Sequence, residues 1–133
     1  MTTTSQLMSD AKFYESYARY LPKLNRYETW EEATSRVMNM HRTKYADVMT
    51  HELEELIQFA QEAYNDKLIL GAQRALQFGG EQLLNKHAKM YNCTTSYCDR
   101  SDFFKEAFWL MLCGCGIGFS VQQQHIASMP NIL

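Results

Sequence analysis

The chain has 133 residues, the length of one ordinary domain. Lysine and arginine number 13 against 15 acidic residues, so the formal charge is −2 and no overall basic surface for nucleic acid is expected. Hydrophobic residues make up 46%, which supports a folded core rather than disorder. The longest apolar run, 107–113, is far shorter than the ~20 residues of a membrane span, and no secretory signal opens the chain. We therefore expect a soluble, cytoplasmic protein with neither a membrane nor a nucleic-acid partner.

The first half of the sequence predicts three helices. Apolar residues recur at helical spacing over three segments, 9–21, 30–45 and 50–64. Pro22 ends the first segment, because proline disfavours helical geometry in the residue that precedes it. Thr29 and Glu32 form a capping-box pattern at the start of the second, and Thr50 is the N-cap of the third. These amphipathic helices must pack their apolar faces against something.

The second half of the sequence predicts mixed structure. In chain order it reads as an apolar connector, a short helix, a strand, an apolar helix, a glycine-rich loop and a second strand, over residues 68–80, 81–87, 90–98, 103–112, 114–118 and 119–121. This order implies two parallel strands joined by a crossover. Two parallel strands do not make a stable sheet, so this half is expected to open a larger α/β sheet or barrel. We place the domain boundary between a helical region, 1–67, and the remainder, 68–133.

Four cysteines, at positions 93, 98, 113 and 115, give the spacing C-x4-C-x14-C-x-C. Zinc sites prefer C-x2-C pairs, so no metal site is expected. Cys98 and Cys113 are predicted to pack as small hydrophobic residues. Cys93 lies in a strand among small polar residues, where a thiol can face an enclosed polar site, as redox chemistry requires. The spacing alone leaves a packing role for Cys93 open.

The glycine-rich segment 114–118, G-C-G-I-G, has two interpretations. Glycines let the backbone approach a ligand closely, and they also form tight helix-to-strand turns. The segment matches neither the dinucleotide-binding nor the phosphate-binding glycine motif, because a strand rather than a helix follows it. The four histidines are scattered and form no ligand pair, so we predict that each lies at the surface.

Three stretches of the sequence carry a resemblance to a known family. Residues 17–22 read Y-A-R-Y-L-P and are followed by R-Y-E-T-W-E-E at 26–32. Residues 74–80 read R-A-L-Q-F-G-G and lead to an Asn-Cys pair at 92–93. Residues 114–121 read G-C-G-I-G-F-S-V. In this order, the stretches resemble the N-terminal portion of the adenosylcobalamin-dependent, class II ribonucleotide reductases.

The resemblance implies both a fold and a reaction. The family fold is a ten-stranded α/β barrel preceded by a helical N-terminal region, of which this chain would hold the helical region and the first βαβ unit. The reaction replaces the ribose 2′-hydroxyl with hydrogen by radical chemistry that adenosylcobalamin initiates. Cys93 would be the redox cysteine of the first strand, and Asn92, Cys115 and Gly116 would line the nucleotide site.

The sequence departs from the family pattern near the expected substrate. Gly71 and Ala72 stand where the family has a Pro-Ser pair, so Ala72 would lie at the substrate without a hydroxyl for its phosphate. Cys115 replaces the middle glycine of the loop and adds bulk near the site. The remaining redox cysteines and barrel strands are expected beyond Leu133, so we expect this fragment alone to be inactive.

The resemblance also implies partners. These are a ribonucleotide substrate, the remaining barrel portion on the rest of the chain or on a separate polypeptide, and a dithiol reductant such as thioredoxin. Adenosylcobalamin would be bound mainly by the remaining portion. Two alternatives stay open: a fragment of a class I large subunit, which shares the barrel, and a non-catalytic helical interaction module. The forms Y-A-R-x-L-P and G-x-G-F-S-V favour class II.

Overall fold

The computed structural model describes residues 3–131. Its helices and strands, in chain order, are α1 (Thr4–Ser16), β1 (Tyr20–Leu21), β2 (Arg26–Tyr27), α2 (Trp30–Lys44), α3 (His51–Asn65), α4 (Gln73–Phe78), α5 (Glu81–Asn85), β3 (Cys93–Tyr97), α6 (Phe103–Leu112), β4 (Gly116–Ser120) and α7 (Gln123–Ile126). Short 3-10 turns lie at Ala46–Val48 and His87–Met90. Within the described range, every helix is too short or too polar to cross a membrane.

The chain forms two compact units that divide between Asn85 and Lys86. This division lies C-terminal to the boundary drawn from the sequence between residues 67 and 68. The difference arises in the connector 68–80, which contains the helix α4 instead of remaining irregular. Both α4 and α5 pack against α2, so they belong to the first unit. The second unit contains β3, α6, β4 and α7.

The first helix begins and ends earlier than the sequence predicts. It starts behind Thr3, whose hydroxyl accepts the N–H of Gln6 while the Gln6 side chain accepts the N–H of Thr3. It ends at Ser16, and the residues expected to extend it form β1, which pairs antiparallel with β2. The backbone is extended here because the Glu28 N–H donates to the Arg19 carbonyl at 2.8 Å and the Glu28 carboxylate accepts the Arg19 N–H at 3.2 Å.

The helices α2 and α3 pack together at the centre of the first unit. Both begin as predicted, α2 in a capping box formed by Thr29 and Glu32 and α3 behind the N-cap Thr50. Trp30 is only half-buried, although it belongs to the apolar pattern of residues 30–45. Its indole N–H donates to the Tyr64 carbonyl at 3.0 Å. The buried apolar side chains of this unit are Phe13, Ala33, Val37, Met38, Met40, Ile57, Tyr64, Ala75, Leu76 and Leu83.

A buried ion pair joins α2 to the end of α4. The Arg36 guanidinium donates two hydrogen bonds of 2.8 Å to the Glu28 carboxylate, which is 5% exposed. Arg36 also donates to the carbonyls of Leu76 and Gly79, at 3.0 and 3.1 Å, and Arg19 donates to the Gly79 carbonyl at 2.7 Å. The last carbonyls of a helix lack partners within it, so the two guanidinium groups satisfy the C-terminus of α4. We call Arg19, Glu28 and Arg36 the arginine cluster.

The second unit contains the predicted strand–helix–strand arrangement. The strands β3 and β4 pair in parallel, with Cys93 opposite Gly116 and Tyr97 opposite Ser120. Helix α6 occupies the residues predicted for it. The second strand begins at Gly116, inside the predicted loop, rather than at residue 119. Glycines form strand here because their backbone pairs with β3, the Gly116 N–H donating to the Asn92 carbonyl at 2.8 Å.

Helix α6 leaves much of its own apolar surface uncovered. Phe103 is 1% exposed, because its ring packs against Phe119 at a centroid distance of 5.0 Å. Phe104, Phe108 and Trp109 are each more than half exposed. The apolar side of α6 that faces away from the strands therefore has no cover among residues 3–131.

Candidate functional site

The β3–β4 pair has one face covered by α6 and one face that α6 leaves open. A cavity of about 220 Å³ lies beneath α6, and residues 94–96 and Ile117 line it from the strand side. Side chains alternate between the two faces of a strand. The register therefore places a second set of residues together on the open face: Cys93, Thr95, Tyr97, Gly116, Gly118 and Ser120.

Cys93 lies at the start of β3 on this open face. Its thiol is free and exposed, and the strand position predicted from the sequence is confirmed. Its lateral neighbour Gly116 has no side chain, so nothing from β4 covers the thiol. A Cβ atom on Gly116 would lie 3.6 Å from the Asn92 carbonyl oxygen. An exposed strand thiol beside an uncovered glycine can form a disulfide with a second thiol brought against it.

Cys115 and Gly116 have different environments although they are adjacent. Gly114 ends α6 with a φ of 85°, and the Cys115 N–H donates back to the Leu110 carbonyl at 3.0 Å, which together form a Schellman motif. Cys115 is 3% exposed. Because the N–H groups of both Cys115 and Gly116 already donate within the unit, a ligand would meet the bare surface of Gly116 rather than a pair of N–H donors.

The other two predicted site residues lie in different units. Asn92 immediately precedes β3, and its carbonyl accepts the Gly116 N–H, so the structure brings Asn92, Cys93 and Gly116 together. Ala72 belongs to the first unit, where it is the N-cap of α4 with no side-chain hydrogen bond. Its carbonyl accepts the Ala75 N–H at 2.8 Å, and its methyl group offers no hydrogen bond.

The open face also carries polar groups that the sequence analysis did not select. The Nδ1 atom of His125 lies 2.9 Å from the Ser120 hydroxyl, and its ring lies 4.4 Å from the ring of Tyr97. His125, expected at the surface, is half-buried. For Tyr97 the sequence does contain a signal, namely its spacing. It is four residues after Cys93 in one strand, so the two side chains share a face.

The cysteines do not assemble a metal site. Cys98 is buried as predicted, whereas Cys113 is only half-buried. In the part of the chain that the structure describes, no three histidine, cysteine, aspartate or glutamate side chains are placed to hold a metal ion.

Comparisons with known proteins identify the fold. Neither a family model nor a curated protein matches the chain. Among solved structures, the chain is similar to the crystal structure of a B12-dependent (class II) ribonucleotide reductase, with a TM-score of 0.69 and 21% identity over 90% of this chain and 21% of that one. This chain thus spans about a fifth of the length of the structure it matches.

The match confirms the fold resemblance that the three sequence stretches predicted. The chain has the α/β fold of part of a class II ribonucleotide reductase. The match favours neither a class I large subunit nor a helical interaction module. The ten-stranded barrel stays a prediction, since β3 and β4 form a single parallel pair.

Proposed function

We propose that this chain is part of an adenosylcobalamin-dependent ribonucleotide reductase, to which it contributes Cys93 as a redox cysteine. The observation that carries the proposal is the open face of the β3–β4 pair, where an exposed thiol lies beside Gly116 in a fold shared with a class II reductase. Reduction of a ribose requires thiols that reach the sugar. A strand of glycines beside the thiol gives the sugar room to approach.

Cys93 would supply one of two reducing thiols. Two thiols become one disulfide and release two electrons and two protons. At the ribose, the C2′–O bond breaks, a C2′–H bond forms and the hydroxyl leaves as water, so the oxidation of the thiols balances the reduction of the sugar. Cys98 and Cys115 are buried, and Cys113 lies at the end of α6 rather than in the β3–β4 pair, so the second thiol would come from another part of the enzyme.

The remaining site residues would bind the nucleotide by shape. Asn92 and Gly116 border the thiol, and the backbone of Cys115 continues the same wall. His125 and Ser120 would provide polar contacts about four residues along the strands from Cys93.

The described residues do not by themselves fit adenosylcobalamin. The cavities of about 320 and 370 Å³ in the first unit and of about 220 Å³ in the second are far smaller than a corrin with its nucleotide tail. The cofactor, which would start the radical chemistry, would bind to other parts of the enzyme. The contribution of this chain would be confined to the substrate and its thiol reductant.

The proposal includes three partners. The uncovered side of α6, with Phe104, Phe108 and Trp109, would pack against the rest of the barrel, on the same or another polypeptide. A ribonucleotide would occupy the open face of the strands. A dithiol protein such as thioredoxin would reduce the disulfide of Cys93 after each turnover, as a reducing cytoplasm allows.

The test is deoxynucleotide production by the chain assembled with the remaining barrel portion, adenosylcobalamin and a dithiol. Cys93→Ser removes the redox thiol while changing one exposed atom, so we expect turnover to fall to background and circular dichroism to stay the same. Cys113→Ser is the matched control and should retain most of the activity.

Two results would count against the proposal. If Cys93→Ser turns over normally, Cys93 is not a redox thiol. If Cys113→Ser is inactive while folded, the redox thiol has been assigned to the wrong cysteine.

A further inference from the structure

The first unit contains a cavity of about 320 Å³ that the reductase proposal does not use. It lies among α1, α2, the end of α3 and the start of α4. Its apolar wall is formed by Phe13, Trp30, Leu70 and Leu76. Pockets that hold small molecules begin at about this volume and are lined mainly by apolar and aromatic groups.

The aromatic wall is held rigidly. The ring of Trp30 meets Phe13 edge-to-face at 5.5 Å and Tyr64 at 5.5 Å. Its indole N–H donates to the carbonyls of Tyr64 and Asn65, at 3.0 and 3.2 Å. An aromatic surface fixed on three sides loses little conformational freedom when a flat ligand packs against it.

Lys67 places a positive charge at this wall. Its ammonium lies 5.4 Å from the centre of the Trp30 ring, and it forms no ion pair with another described residue. Its backbone has a φ of 58°, at the position after α3 where glycine is usually found. The Leu68 N–H donates to the Ala63 carbonyl at 2.9 Å and fixes this turn. Lys67 therefore carries the ammonium from a left-handed backbone conformation, which residues with a side chain rarely adopt.

The other two charged groups that line the cavity, Lys12 and Asp10, differ from Lys67 in pairing or in sign. Lys12 also lines it, but its ammonium is 3.0 Å from the carboxylate of Glu15. Asp10 lines the same cavity and opposes an anion. Beside the cavity, the Tyr64 hydroxyl is buried next to Gly71, 3.5 Å from where a Gly71 Cβ would lie. Among these groups, the Lys67 ammonium is the cation without an ion-pair partner among the described residues, and it lies beside the flat apolar ring of Trp30.

We propose that this cavity binds a small planar aromatic acid. The aromatic body packs against Trp30 and Phe13, and the acid group pairs with the Lys67 ammonium. This inference does not rest on the reductase function, since every residue it uses lies in the first unit.

The test uses the 133-residue chain and three probes of equal size: 1-naphthoate, 1-naphthylmethanol and 1-naphthylmethylammonium. Binding is followed by the indole N–H resonance of Trp30 in ¹H–¹⁵N spectra, with Trp109 in the other unit as an internal control. We expect 1-naphthoate to shift the Trp30 signal saturably and the ammonium probe to bind least.

Two variants assign the charge. Lys67→Gly removes the ammonium and relaxes the backbone, so the chain should remain folded while the affinity for 1-naphthoate falls by about fivefold, the effect of one ion pair near water. Asp10→Asn should increase that affinity, because it removes a repelling charge. Lys105→Gln, in the second unit, should change nothing.

The proposal is overturned if 1-naphthoate leaves the Trp30 resonance unchanged up to its solubility limit. Equal binding of the acid and ammonium probes also overturns it. So does an affinity for 1-naphthoate that Lys67→Gly does not lower in a folded chain.

Discussion

The two units of this chain bury apolar surface very differently. Among the described residues, ten buried apolar side chains belong to the first unit, and three belong to the second: Cys98, Phe103 and Cys115. In the first unit the arginine cluster satisfies the C-terminus of α4, whereas the second unit leaves one face of its strands and one side of α6 uncovered. The first unit thus has its own core, and the second leaves large apolar side chains exposed.

The residues that pack the core and the residues proposed for chemistry lie in different units. The predicted redox residue, Cys93, and the polar pair Ser120 and His125 are all in the unit with little core. The motif residues Arg19 and Gly79 are in the other unit, where they hydrogen-bond to each other. Residues 17–32 and 74–80 of the resemblance therefore contribute to packing, while Asn92, Cys93 and the third stretch contribute to the open face of the strands.

The largest effect is expected from breaking the arginine cluster. Glu28→Gln leaves Arg36 without its buried counter-charge, so the first unit should lose about 3 kcal/mol of stability. Hydrogen exchange read by mass spectrometry reports each unit separately, and the second unit should keep its protection. Glu52→Gln, on the surface of α3, is the control and should have little effect. Equal loss in both units would show that the second depends on the core of the first.

A smaller loss is expected at Gly79. A Cβ there would clash with the Ala75 carbonyl oxygen, a backbone atom, so Gly79→Ala should cost about 2 kcal/mol in denaturant unfolding. Gly71→Ala is the matched control, because its Cβ would make only ordinary contacts, the nearest at 3.5 Å. A neutral Gly79→Ala would mean that the end of α4 can shift freely.

The second unit should respond in the opposite way to a surface change. Phe108 is 61% exposed, so Phe108→Gln should change the free energy of unfolding by less than about 0.5 kcal/mol. Sedimentation should show weaker self-association of the isolated chain, because apolar surface has been removed. A marked loss of stability would indicate that Phe108 packs within the chain itself.

The smallest effect concerns acid. The hydrogen bond from Arg26, followed by the Thr29 N–H, lowers the pKa of Glu32 from 4.5 to about 2. The contribution of this carboxylate is complete above pH 4.5 and is lost as the pH falls towards 2. The melting temperature of the first unit should therefore fall as the pH drops through that range. In Arg26→Met the loss should begin at the same pH but end at a higher pH and be smaller, because the folded-state pKa of Glu32 then lies closer to 4.5. An unchanged profile would contradict the role of the pair.

The sequence by itself determined the elements whose signals are local. Thr29 and Thr50 cap helices where the pattern placed them, α6 covers the predicted residues, and β3 lies within the predicted strand. Each signal is a hydrogen bond or an apolar period within a few residues of the chain. The class II fold followed from motifs in order rather than from any one of them.

Only the tertiary structure decided the features that depend on distant partners. Residues after Ser16 form a hairpin because Glu28 binds the backbone of Arg19, and glycines form β4 because β3 lies beside them. The register places Cys93 and Ser120 on the same open face. The hydrogen bond between His125 and Ser120 then brings His125 to that face. A one-residue shift in a strand moves every side chain to the other face, so which residues meet is decided by pairing and not by composition.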